Sequence, residues 1–316
     1  MIRITSFSYK GGAGRTVASA NIAAALASKQ AQGAVRRPLN YKVALIDLDV
    51  FSAGTHRAFE ISNEKIQKWQ SCIQDYLHRD IQPAEYVNTG GITVSDPLMD
   101  GFRMRGALAC RDDFKLFPAK PKPTDKFKVQ KFHDNNMSSL LIELENQGFD
   151  YAIIDGESGT RDMAEIAVHV ADVVLMFFRL TWQHIEGSMV AMKEYLKSEN
   201  PPRFYLIPTC VPLVGKDDGV YQLTPTEAPG LDVLRGNTET IPEISGLNEI
   251  CEQQSVANDD SQQAYGHFWS RRMCIHDSLV LKGEERVLVC DPAAEDEQAA
   301  TDYYEIAAEI SRLHAP

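Results

Sequence analysis

The segment Ser8-Tyr9-Lys10-Gly11-Gly12-Ala13-Gly14-Arg15-Thr16 constrains this chain more than any other stretch. It follows a short apolar run, Ile2–Ser8, and opens an alanine-rich helical pattern, Thr16–Lys29. Glycines at such a turn let the backbone curl until successive N–H groups face one anion, and the helix start adds positive dipole. Lys10 and Arg15 bring cations to the turn, and the Thr16 hydroxyl stands where it can reach a Mg2+ ion. Strand, glycine turn and helix in this order are the opening βα unit of a parallel sheet.

The rest of the chain repeats that alternation. Further strands are expected at Val43–Asp47, Phe114–Pro118, Tyr151–Asp155, Val173–Phe178, Phe204–Pro208 and Arg286–Cys290. Helical patterns occupy Ile66–His78, Ser138–Gln147, Met163–Ala171, Ile185–Ser198 and Ala299–Leu313. Val43–Ile46 and Ile153–Ile154 are apolar on both faces, as strands are when helices cover both sides of a sheet. The expected fold class is α/β, a doubly wound, mostly parallel sheet with helices on both faces. Two irregular stretches interrupt it, Glu85–Asp113 and Val214–Gln263. The chain is therefore expected to form one domain, residues 1–316, with insertions at about 85–113 and 214–263.

Composition narrows the function. With 32 Lys+Arg against 44 Asp+Glu the formal charge is −12, which argues against a bulk-basic nucleic-acid protein while allowing a local phosphate site. The six cysteines show no C-x₂-C spacing and no partner run of histidines, so a cysteine–histidine metal site or a disulfide framework is not expected and a reducing compartment is. The start, Met1-Ile-Arg-Ile-Thr-Ser-Phe-Ser-Tyr, has no apolar leader core, and no window approaches 18 apolar residues. The expected location is the cytoplasm.

Acids end two of the strands. Val43-Ala-Leu-Ile-Asp47-Leu-Asp49 closes the second, and Asp150-Tyr-Ala-Ile-Ile-Asp155-Gly-Glu-Ser-Gly159 closes the Tyr151–Asp155 strand. Ligands of open α/β sheets collect at the carboxyl ends of strands, so these acids are expected beside the glycine turn. Magnesium usually keeps several waters and takes few protein oxygens, which Thr16, Asp155 and Asp47 can supply.

The turn departs from the ordinary phosphate-loop pattern G-x₄-G-K-[ST], with Tyr9 in place of the first glycine and Arg15 in place of the lysine. It resembles instead the deviant Walker A motif, K-G-G-x-G-K-[ST], of the ParA/MinD family of ATPases, in its K-G-G-x-G-R-[ST] variant. The resemblance implies a P-loop ATPase binding ATP and Mg2+. It implies nucleotide contacts from Lys10, Gly11, Gly12, Ala13, Gly14, Arg15, Thr16 and Val17, with Lys10 reaching across a homodimer to the partner's nucleotide. Asp47-Leu-Asp49 resembles the family's D-x-D element, in which Asp49 orients the attacking water. Asp155 resembles the Walker B acid that holds Mg2+ through water, and Gly156–Arg161 resembles switch II. Pro208-Thr209-Cys210 falls where the family often places a base-contacting Asn, here missing, and Ile241-Pro242-Glu243 resembles the late loop near the base. Thr209 and Pro242 are thereby assigned to the base.

Arg15 is not a conservative stand-in for lysine. A forked guanidinium can bridge phosphate oxygens, so retained nucleotide binding with slow basal hydrolysis is expected. The leading function is a nucleotide-controlled dimerisation switch in a multi-protein bacterial system. A non-hydrolysing nucleotide sensor or scaffold is the alternative, and a DNA-partitioning ATPase a third. Lys115, Lys120, Lys122, Lys126, Lys128 and Lys131 alternate with Phe114, Phe117, Phe127 and Phe132, a pattern that fits either a nucleic-acid stripe or, as favoured here, a loop with aromatics in the core. The last helix has an apolar stripe, Tyr303, Ile306, Ile310 and Leu313, opposite acidic Asp302, Glu305 and Glu309. Packing on the domain is expected of it, not membrane binding. The eight histidines are scattered and are assigned no catalysis, Trp182 and Phe268-Trp269 are read as packing groups, and Arg271-Arg272 is left open.

Overall fold

The computed structural model describes residues 1–28, 38–78, 81–99, 113–121, 130, 132–160, 162–211, 275–276, 289 and 298–313. Its strands are β1 (Ile2–Phe7), β2 (Val43–Asp47), β3 (Ile92–Thr93), β4 (Phe114–Phe117), β5 (Tyr151–Asp155), β6 (Val173–Arg179), β7 (Arg203–Val211) and β8 (Ile275–His276). They form one sheet in the order β3-β4-β2-β5-β1-β6-β7-β8. Only the edge pair β3–β4 is antiparallel; the other pairs run parallel. The expected α/β sheet is therefore present, with β1 between β5 and β6.

Strand alternation distributes the apolar runs to two helical layers. Val43 and Leu45 of β2 face one cluster with Ile153, Leu175 and Tyr205, while Ala44 and Ile46 face the other with Ala152 and Ile154. The first layer is α1 (Arg15–Ala27) together with α8 (Gln298–Arg312). Alanines 18, 20, 23, 24, 25 and 27 are buried along α1, and their small side chains let it be enclosed between the sheet and α8. The second layer holds α3 (Ile73–His78), α4 (Pro83–Thr89), α5 (Phe132–Asn146) and α6 (Asp162–His169). Beyond β1, α6 and α7 (Trp182–Tyr195) cover Val174, Met176 and Phe178.

The last helix packs on the domain as expected. Tyr303 and Tyr304 are buried, and the Tyr304 hydroxyl lies 3.0 Å from Ser28 Oγ just past α1. Asp302, however, is not on a solvent face: it is buried and accepts from Gln298 Nε2 at 3.0 Å.

Three local expectations are corrected. The helix expected over Ile66–His78 is two, α2 (Asn63–Lys68) and α3. Trp69 turns to an extended ψ of 126° and its indole donates to the Gly90 carbonyl, 3.3 Å. The Asp75 carboxylate then accepts from the Cys72 amide at 3.2 Å, starting a new helix in the manner of half a capping box. The stretch Glu85–Asp113, expected to be irregular, contains most of α4, the edge strand β3 and a short 3₁₀ helix, Pro97–Met99. Strand β8 lies in a stretch where none was expected. The expected strand Arg286–Cys290 lies outside the described residues apart from Val289, and Val214–Gln263 lies wholly outside them.

The lysine and phenylalanine pattern is partly accounted for. Phe114 and Phe117 are fully buried, Lys115 Nζ donates to the Val87 carbonyl and Lys120 Nζ pairs with Asp75 at 2.9 Å. Residues 122–129 and 131 lie outside the description. Among the described residues no helix is long and apolar enough to cross a membrane.

Candidate functional site

The glycine turn leaves the end of β1 and folds on itself. Ser8 Oγ donates to the Lys10 carbonyl at 2.7 Å. Gly12 and Gly14 take φ of 81° and 79°, a left-handed backbone that other residues rarely adopt, and Gly14 is the residue from which α1 starts. None of the amides of Gly11 through Val17 finds a hydrogen-bond acceptor among the described residues. Unbonded amides at a helix start are donors prepared for an anion.

The acids arrive in register. Asp47 at the end of β2 pairs with Asp155 at the end of β5, and Asp155 pairs in turn with Ser6 of β1. Both carboxylates are fully buried. Asp155 Oδ1 is 3.2 Å from Ser19 Oγ, and Oδ2 accepts from Thr55 Oγ1 at 3.0 Å. Asp47 Oδ2 accepts from the amides of Gly54 and Thr55, at 3.3 and 3.2 Å. Asp47 Oδ1 is buried with no partner.

Burial pushes Asp47 well above the ordinary carboxylate range, and the neighbouring charges of Asp155 and Asp49 push it further. Burial raises Asp155 as well, opposed by the Arg15 charge and the hydroxyls of Thr16 and Thr55. A set of buried acids that repel one another is costly unless a cation joins them.

Arg15 is itself buried, 8% exposed; Nη2 lies 3.6 Å from Asp49 Oδ2, and Nη1 is buried without a partner. Asp49 also accepts from the Ser52 amide at 3.0 Å. Burial raises its pKa, with Arg15 and the amides of Ser52 and Phe51 holding it down. The switch-like stretch after β5 lies against the turn: the Gly159 amide donates to the Ser8 carbonyl at 3.0 Å. A Cβ on Gly156 would come within 3.2 Å of the Ser6 carbonyl oxygen and 3.3 Å of the Ala167 Cβ, so a side chain there would crowd the exit of β5 from the sheet.

Orphan donors on the loop and on Arg15, set with an orphan carboxylate oxygen on Asp47, fit an anion accompanied by a metal ion. Among the described residues no group of three or more His, Cys, Asp and Glu is arranged to hold a metal alone. A cation here would therefore share its ligands with hydroxyls, waters and the anion.

Lys10, Arg15, Thr16, Asp47, Asp49 and Asp155 thus stand on one end of the sheet, around the end of β1. Lys10 is exposed and donates to Gln183 Oε1 of α7 at 2.7 Å. Thr209 lies farther off, on β7, and its hydroxyl is turned to the Phe178 carbonyl at 3.4 Å. Pro242, Arg161, Phe268-Trp269 and Arg271-Arg272 lie outside the described residues. Ser19, Thr55, Arg179 and Gln183 were missed by the sequence reading. Arg179 Nε donates to the Gly12 carbonyl at 2.8 Å, a contact that no local sequence signal announces.

No protein-family model and no curated protein sequence matches the chain. Solved structures share its fold over nearly the full length. MinD of Aquifex aeolicus in a MinC:MinD complex is 17% identical, with 99% of this chain and 96% of that one covered and a TM-score of 0.61. MinD of Pyrococcus horikoshii with Mg-ADP is 13% identical over 99% and 97%, TM-score 0.60. A plasmid partition protein of Borrelia burgdorferi bound to AMPPNP is 15% identical over 99% and 98%, TM-score 0.58. The chain has the fold of the ParA/MinD P-loop ATPases.

Proposed function

We propose that the chain is a Mg-dependent ATPase of the ParA/MinD type, acting as a nucleotide-controlled dimerisation switch. The observation that carries this reading is the run of unbonded amides from Gly11 to Val17 beside buried, partnerless atoms of Arg15 and Asp47. Structures of the same fold that hold Mg-ADP or AMPPNP support it.

In this mechanism the loop amides and the α1 N-terminus take the phosphate oxygens, and Arg15 adds a charged donor. Thr16, Asp155 and Asp47 hold Mg2+, which when bound neutralises phosphate charge. Asp49 orients the attacking water, its carboxylate fixed by the Ser52 amide and Arg15. Lys10, exposed at the outer side of the loop, reaches the nucleotide of a second copy once it leaves Gln183. A nucleotide can drive dimerisation only by binding the dimer better than the monomer, and Lys10 acting across the interface supplies that difference. The protein partner acts at the insertions 85–113 and 214–263, in the cytoplasm. The test is solution mass: with Mg-ATP the chain dimerises, with ADP it does not, and Lys10→Ala stays monomeric. An unchanged monomer mass with Mg-ATP refutes the switch.

One observation favours a second reading, a sensor that binds nucleotide without turning it over. Arg15 sits 3.6 Å from Asp49, engaging the carboxylate that water needs. Slow hydrolysis, below ~1 s⁻¹ without a partner, is expected in either case. Single-turnover hydrolysis separates them: the switch hydrolyses bound ATP and gains rate in Arg15→Lys, whereas the sensor does neither.

A further inference from the structure

Strand β6 runs beside β1 with Phe7 opposite Met176. It then continues to Arg179, past the residue at which β1 gives way to the glycine turn. Arg179 is therefore carried to the turn on a strand, not on a loop. Its backbone is in register with Thr209 of β7, and its carbonyl accepts from the Thr181 amide two residues on at 2.7 Å. From there Nε donates to the Gly12 carbonyl at 2.8 Å.

That carbonyl belongs to the same peptide unit as the Ala13 amide. No cis peptide is present among the described residues, and in a planar trans unit the C=O and N–H point in opposite directions. Holding the Gly12 oxygen against Arg179 thus fixes the Ala13 N–H on the opposite side, away from the guanidinium. The Ala13 amide is one of those without an acceptor. Gly12 has the left-handed φ of 81°, and a glycine on its N-terminal side leaves this peptide freer to rotate than another residue there would. The contact is placed where the loop most needs an external restraint.

Charge points the same way. Arg15 has Asp49 beside it, but Arg179 has no carboxylate partner among the described residues. The His184 ring, which burial already disfavours as a cation, is pushed further down by the charges of both Arg179 and Lys10. Lys10 reaches Gln183, the residue before His184, and Arg179 reaches Gly12, so both bring positive charge to the loop and the start of α7.

We infer that Arg179 is a positioning residue for the polyphosphate tail: it orients the Gly12–Ala13 peptide so that the Ala13 amide faces the phosphates. The inference rests on the nucleotide-binding reading above. Its test is calorimetric titration of the full chain with ATP, ADP and inorganic tripolyphosphate, each with Mg2+. Arg179→Ala is expected to weaken all three by about tenfold, the scale of one charge-assisted hydrogen bond. Arg179→Lys, which keeps a charged donor within reach of the carbonyl, is expected to restore binding to within about threefold. The unfolding midpoint without ligand stays unchanged in both variants. Undiminished binding in Arg179→Ala overturns the inference, as does a fall in the unliganded midpoint that matches the loss of affinity. Equal loss in the Lys and Ala variants assigns the effect to Nη groups touching the ligand, and also overturns it. Absence of ATP binding by the native chain fails the nucleotide reading itself, and this inference with it.

Discussion

Asp47→Asn should make the unliganded protein more stable while weakening its hold on Mg-nucleotide. The carboxylate is fully buried, and one of its oxygens has no partner. Burial, then Asp155, then Asp49, raise its pKa well above the ordinary 3.8. Each unit of that rise is about 1.4 kcal/mol of penalty on the ionised form. Asparagine keeps an oxygen for the amides of Gly54 and Thr55, forfeiting only the charge assistance in those bonds, roughly 0.5–1 kcal/mol. A net gain in stability at pH 7 is expected. The sign follows from proton linkage. Below pH 3.8 both folded and unfolded states hold the proton and Asp costs little more than Asn. As pH rises toward the folded pKa, the unfolded chain releases its proton first, so the native protein loses stability that the variant keeps. Urea unfolding of both proteins at pH 4.0, 5.5 and 7.0 checks this: the gap in favour of Asn should widen with pH. Addition of Mg-ATP should reverse it, because a ligand of the folded state stabilises the native chain more. A variant less stable at pH 7, or a gap independent of pH, would refute the reasoning.

Two further outcomes follow from packing. A Cβ on Gly187 would lie 2.0 Å from Tyr9 Cδ1, so Gly187→Ala must displace the tyrosine ring beside the loop. The overpacking cost of about 1–3 kcal/mol is offset by about 1 kcal/mol of helix propensity and by the freedom of a half-buried ring to swing out. Stability should move little while nucleotide affinity falls, and Tyr9→Ala in the same chain should recover it; unaltered affinity in Gly187→Ala counts against the loop–α7 contact. Ile306→Ala, at a fully buried position between α8 and α1, should cost about 2–5 kcal/mol in urea unfolding. A loss below about 1 kcal/mol would mean that α8 is not part of the core.

How far the sequence could be read depended on where the information lay. The strands Val43–Asp47 and Tyr151–Asp155 were legible to the residue, because an apolar run buried on both faces ends abruptly at an acid. The loop was legible because glycine spacing between strand and helix is a local property. The break between α2 and α3 was not: Trp69 and Cys72 continue the helical period, and the stop comes from Asp75 and from Gly90 across space. Asp302 was misplaced because a buried carboxylate satisfied by a residue on its own helix looks, by period alone, like a surface acid. The contact of Arg179 with Gly12 joins positions 167 apart, which no spacing rule connects. Ser19 and Thr55 meet Asp155 only once the register of β1, β2 and β5 is known.

The central claim is that residues 11–17 form a phosphate cradle, and titration calorimetry with Mg-ATP tests it most directly. The native chain is expected to take up one nucleotide per chain, displaced by ADP and by inorganic tripolyphosphate. Gly14→Val, which sets a β-branched residue at a φ of 79°, should abolish that uptake while leaving the unliganded unfolding transition in place. No saturable binding by the native chain, or equal binding by Gly14→Val, would contradict it.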